Sequence, residues 1–239
     1  MSGATAADYA WLGESDDDYL CDSGFCVTFV RDVSPEEAFR RIGVTPEPID
    51  LTPEHISVTP ERIGATPRRT DGPGRTDGPG GLSADRPITA YEAFGGTVLL
   101  ERNGFAGTLA EVTRRLSAGT VMAAVSGGLG LERRFLYAAD GRLITGFDPD
   151  GSGARWGASP GLLLAHMREL GLPIGEHAGE DPDDEPRDPS DDGEPCEPGE
   201  GEDDPVFAAM ALAERATGVR VTSGHLTRRA LTGSAARLY

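Results

Sequence analysis

The chain has no lysine and no glutamine, and a single asparagine, Asn103, among 239 residues. All 22 basic residues are therefore arginine, the pattern that a GC-rich coding bias leaves behind. The absence of lysine excludes chemistry as well. An arginine stays protonated at any working pH and does not readily act as a base or a Schiff-base nucleophile. Pyridoxal-phosphate enzymes, Walker-type phosphate loops and ordinary protein kinases each need a lysine at a fixed place, so all three drop out. Cysteine is scarce too. Cys21, Cys26 and Cys196 are an odd number without tight spacing, which makes no disulfide framework and suits reduced thiols in a cytoplasmic protein. No apolar run approaches the ~20 residues of a membrane span, and the opening residues lack the basic and apolar regions of a signal peptide. The expectation is a cytoplasmic chain with no membrane partner.

The formal charge is -18, from 40 acidic and 22 basic residues. Most of it is local, since 15 acidic residues and one basic residue, Arg187, stand between Glu176 and Asp204. Such a run has too few apolar residues to fold alone, so 175–204 reads as a disordered acidic insertion. The acidity also argues against nucleic acid, whose binding needs a basic footprint. A second biased run covers 44–87. Thr45-Pro46, Thr52-Pro53, Thr59-Pro60 and Thr66-Pro67 recur every seven residues, and two copies of Arg-Thr-Asp-Gly-Pro-Gly follow from Arg69 and Arg75. A proline inside a helix removes an amide donor and costs about 3 kcal/mol, so the period is not a coiled coil. The run reads as an extended, disordered linker.

Residues 1–43, 88–174 and 205–239 remain, about 165 in all, the size of one domain. Thr5 and Asp8 open a short helix bearing Tyr9, Trp11 and Leu12. Phe25 to Arg31 is apolar on both faces, as an interior strand would be. Ser34-Pro35-Glu36-Glu37 is a helix start with Gly43 as its stop. Further strands are predicted over 97–102, 120–125, 135–139, 142–147 and 219–222, with a hairpin turning at Asp140-Gly141. Helices are predicted from Thr108 to Leu116, from Ser159-Pro160 to Gly171, from Asp204-Pro205 through Ala216, and weakly over 225–231. The expected fold is a single α+β domain of about five mostly antiparallel strands covered by four to five helices, with the two insertions outside it.

No catalytic set is complete in the sequence. Asp148-Pro149-Asp150-Gly151-Ser152-Gly153 begins like a calcium loop, but Ser159 stands where the bidentate glutamate belongs, so a plain turn is favoured. Gly127-Gly128-Leu129-Gly130 leads into a strand rather than a helix, which is wrong for a nucleotide loop. Among four scattered histidines only His166 lies on a strong helix, as a half-buried packing residue, and no pair has metal-site spacing. No metal or other cofactor is expected. Cys26 sits in an interior strand, whereas a reactive thiolate needs partial exposure and a nearby cation. Arg155-Trp156-Gly157 is the best surface candidate, because Trp and Arg in loops are frequent binding hot spots, unless Trp156 folds down over the hairpin.

Asp8-Tyr9-Ala10-Trp11-Leu12, Cys26 to Arg31 before Ser34-Pro35-Glu36-Glu37, Glu101-Arg102-Asn103-Gly104, Leu116 to Thr120, Phe135-Leu136-Tyr137, Phe147-Asp148-Pro149, Arg155-Trp156-Gly157 and Leu212-Ala213-Glu214-Arg215 together resemble an actinobacterial family of uncharacterised proteins. The likeness covers the ordered blocks and neither biased run. It implies a cytoplasmic actinobacterial protein and supports reading the two runs as insertions, but it implies no activity, cofactor or catalytic residue. The expected function is a non-catalytic intracellular binding or accessory module, an immunity-type protein being one form of it, with another protein as partner. Two alternatives stand beside it. One is a small hydrolase or transferase with a site around Cys26, Asp148 and His166, assembled only by folding. The other is a docking protein that acts through its acidic and Thr-Pro segments, the latter as phosphorylation sites.

Overall fold

The structure, a computed structural model, describes residues 3–12, 24–49, 87–128, 133–151, 153–175, 205–226 and 230–239. The acidic run from 176, the repeat from 50 to 86, and Cys21, Cys196, His55 and His177 lie outside the described residues.

Among the described residues, nine strands form one sheet, ordered β2-β9-β3-β4-β1-β5-β6-β7-β8. In chain order they are β1 (Phe25–Arg31), β2 (Glu47–Ile49), β3 (Pro87–Ala93), β4 (Gly96–Arg102), β5 (Val121–Gly127), β6 (Arg134–Ala139), β7 (Arg142–Phe147), β8 (Arg155–Trp156) and β9 (Ala230–Ser234). Every pairing is antiparallel. The helices are α1 (Pro35–Ile42), α2 (Ala110–Leu116), α3 (Leu164–Glu169), α4 (Pro205–Thr217) and α5 (Ser223–Leu226). Short 3₁₀ stretches cover Ala6–Leu12 and Ala106–Thr108.

This corrects the expected fold. The sheet has nine strands rather than about five, and the chain is mostly β with a few short helices. β2 and the first residue of β3 fall inside the stretch read as a linker. Residues 219–222 make only an isolated bridge from Arg220 to Phe94. The helix expected over 225–231 ends at Leu226, and Ala230 and Leu231 belong to a strand. Thr108 caps nothing by its side chain. Its hydroxyl donates to the Phe105 carbonyl, and the residue before α2 is Leu109.

The sheet is covered on both faces, and β1 at its centre feeds both cores. Phe25, Val27 and Phe29 point to one side, with Val98, Val125, Phe135 and Phe147. Against them lies α4, buried continuously from Val206 to Ala213. A helix apolar all round is one that is enclosed, and its five alanines let it sit close to the sheet while Tyr9 and Trp11 close over it. Cys26 and Val30 point the other way, with Leu99, Met122 and Ala124, under Phe39 and Ile42 of α1 and Val112 and Leu116 of α2. α1 has the ends its sequence predicts. The Ser34 hydroxyl accepts from the Glu37 amide, Pro35 takes the first turn, and Gly43 adopts φ 74°. The hairpin also turns where expected, with Asp140 and Gly141 both at positive φ, as a type I′ turn requires.

Candidate functional site

The structure does not bring Cys26, Asp148 and His166 together. Cys26 is buried among α1 and α2 side chains. Its burial, with the Glu101 carboxylate as a second cause, pushes the thiol up to about 12, so at neutral pH it carries no thiolate. His166 is exposed on α3, with Nδ1 3.9 Å from Glu169, and α3 packs through Met167 on the opposite face of the sheet. The sequence had His166 half-buried. Neither neighbour of the α3 stripe covers it, since Leu163 and Met167 turn inward and leave the ring in solvent. Asp148 closes the turn after β7, where its Oδ1 accepts from the Asp150 amide. Asp150, the next acid of the calcium-like loop, pairs with Arg133 at 2.9 Å. No group of three or more potential metal ligands occurs among the described residues.

Arg155 and Trp156 form the short edge strand β8. They part in direction. The Arg155 guanidinium donates to the carbonyls of Gly153 (2.8 Å) and Ile174 (2.5 Å), tying the β7–β8 loop to the segment that follows α3. The Trp156 indole lies over Gly146, so close that a Cβ there would stand 2.6 Å from the ring. It remains 40% exposed.

A buried carboxylate escaped the sequence reading. Glu101 is 2% exposed. One oxygen accepts from the Ala106 amide (2.7 Å) and the other from the Tyr239 hydroxyl (2.5 Å). Tyr239 in turn accepts from the Phe105 amide. The signal was Glu101-Arg102-Asn103-Gly104. Asn103 takes φ 54°, and a Cβ at Gly104 would meet the Glu101 carboxyl at 2.1 Å. Glu101 fastens a loop and the tail of the chain.

A site with space for a ligand lies elsewhere among the described residues. An open groove of about 530 Å³ runs between the first turn of α1, the β3–β4 turn and the start of β9. Val33, Ala90 and Leu231 give it an apolar floor. Asp32, Glu36 and Glu92 stand on its rim, all exposed. No arginine lines it, and none of the three carboxylates has an ion-pair partner among the described residues.

Its walls are locked by short-range geometry. The Asp32 amide donates to the Gly95 carbonyl (2.9 Å), and the Thr97 hydroxyl donates to the Val33 carbonyl (2.5 Å). Gly95 holds φ 81°, and a Cβ there would lie 2.6 Å from the Gly218 carbonyl oxygen. The β3–β4 turn therefore needs glycine to approach so closely. None of these groove residues was singled out from the sequence as a binding residue. They come from three separate segments, and only the Gly95-Gly96 pair marks a place where backbones meet.

The chain belongs to a family of unknown function, DUF6461, whose model matches residues 2–236. No curated protein and no solved structure matches it.

Proposed function

We propose that this member of the DUF6461 family is a non-catalytic binding or accessory module of the cytoplasm, and that it docks another protein in the groove beside α1. The observation that carries the reading is the groove itself, about 530 Å³, with an apolar floor and an unmatched acidic rim. Its volume is that of an ordinary binding site. Its rim side chains are all exposed, so it suits a protruding segment of a macromolecule better than a small molecule that must be enclosed. Of the residues named for a hydrolase or transferase site, Cys26 is buried and Asp148 and His166 lie apart from it, so among the described residues that reading has no observation in its favour. An immunity-type protein is one form such a module takes. Actinobacterial origin belongs to the same proposal, and so does the reducing compartment, which fits the free, buried thiol of Cys26.

The test is a photo-cross-linking amino acid placed at Glu92 in cells of the source organism, with Arg114 on the exposed face of α2 as control. A discrete adduct at 92 and none at 114 is expected. Equal adducts at both positions, or none at 92, would end the proposal.

A further inference from the structure

We infer that the segment received by the groove is basic: a stretch of the partner protein presenting arginine or lysine side chains. This rests on the docking reading above and adds its chemistry. Arginine and lysine have an aliphatic stem and a charged head, and lay the stem on apolar surface while the head seeks a polar partner. The groove has the matching halves. Val33, Ala90 and Leu231 offer apolar floor, and Asp32, Glu36 and Glu92 offer carboxylates at its edge. Two other carboxylates of α1 and α2 are matched by this chain's own arginines. Glu37 holds Arg40 and Arg41, and Glu111 holds Arg114 and Arg115. Those of the rim are not matched.

A single metal ion does not explain them, because the rim carboxylates do not converge as a ligand group. Separate charges along an apolar trough address separate cationic heads. A rim of one sign also steers a partner of the opposite sign to the groove before contact is made. The walls are already fixed by the Asp32–Gly95 and Thr97–Val33 hydrogen bonds, so little ordering is needed when the segment arrives.

The experiment uses the full chain, isotope-labelled, and two probe peptides, Ac-Ala-Arg-Ala-Arg-Ala-NH2 and its glutamate counterpart. Amide shifts are followed by NMR at Ser34, Gly95, Gly96 and Leu231. A site-resolved readout is needed because the acidic run between 176 and 204 also attracts cations. The arginine peptide is expected to move the groove amides saturably, and the glutamate peptide to leave them in place. The combined variant Asp32→Asn, Glu36→Gln, Glu92→Gln should weaken binding about tenfold, rim ion pairs contributing a few-fold each. Asparagine tolerates the positive φ of Asp32, 53°, so the variant should keep its fold. On the unaltered chain, salt near 1 M, where the screening length is about 3 Å, should weaken the same shifts at least as much.

Shifts confined to 176–204, equal binding of both peptides, or a neutralised variant that binds as tightly as the parent would each overturn the inference. So would tighter binding of spermidine than of the peptide, which would make the occupant a polyamine. The two proposals fail separately. An adduct at position 92 with no effect of rim neutralisation keeps the docking site and removes its basic occupant. No adduct at 92 removes the docking site itself.

Discussion

The α4 side of the sheet and the groove beside α1 treat charge and space in opposite ways. Over α4, polar groups are matched. Tyr9 donates to Glu214 at 2.8 Å, Arg220 reaches Asp8 at 3.4 Å, and Arg215 bridges Glu169 and the Ala4 carbonyl. Burial and the neighbouring Glu214 carboxylate raise the Tyr9 hydroxyl well above the usual range, so the hydrogen bond keeps its donor at any ordinary pH. In the groove, three carboxylates stand without arginine over a floor that is left open. Folding gains from matching charges and closing space. A surface that does neither is free of intramolecular partners, which is why the docking proposal places the intermolecular one there.

The comparison breaks most visibly at the floor of each region. Leu212→Ala, under the α4 core, should cost about 3–4 kcal/mol because it leaves a closed cavity. Leu231→Ala, beside the open groove, should cost about 2 kcal/mol or less, because solvent fills the space. Urea unfolding of both variants measures the difference, and equal losses would mean that the groove is closed in solution. Alkaline pH gives the next effect. Cys26 is protonated in the fold up to about 12, against an ordinary thiol value of 9.0. Below pH 9 neither state loses its proton and the contribution is whole. Between 9 and 12 only the unfolded chain ionises, so stability falls as pH rises. Tyr9 and Tyr91, also raised mainly by burial, add to the fall in the same direction. Cys26→Ala should make the fall shallower, and the native thiol should resist a disulfide reagent at pH 8 until the chain is unfolded.

Tyr9→Phe should cost about 1.5–3 kcal/mol, the range for a hydrogen bond to a charged group, read as a lower midpoint in the same titration. Smallest of all, Asp32→Asn or Glu92→Gln should change stability by less than about 0.5 kcal/mol, as exposed side chains without partners do. A larger loss would show that the rim is already matched within the chain.

What was legible in the sequence followed local rules. β1 announced its interior place by being apolar on both faces, α1 by Ser34-Pro35 and Gly43, and the β6–β7 hairpin by Asp140-Gly141. The strands that were missed depend on distant partners. β3 begins at Pro87 against the composition of the repeat, and its short run of β-formers, Ile88, Thr89 and Tyr91, is broken by Ala90 and Glu92. β9, which contains Gly233, becomes a strand because it inserts between β2 and β3. Gly233 is needed there, since a Cβ would lie 2.3 Å from Val44. The groove was illegible for the same reason. Residues 32–36, 92–96 and 230–231 are far apart in the chain, and each alone looks like an ordinary turn or strand end. Trp156, the surface candidate of the sequence, lies with part of its ring over Gly146 and keeps the rest exposed.

The most direct measurement compares the photo-cross-linker at position 92 with the same group at position 156, in the same cells. The docking account predicts a discrete adduct from 92, with little or none from 156. An adduct from 156 and none from 92 would move the interaction to the edge strand and contradict the account.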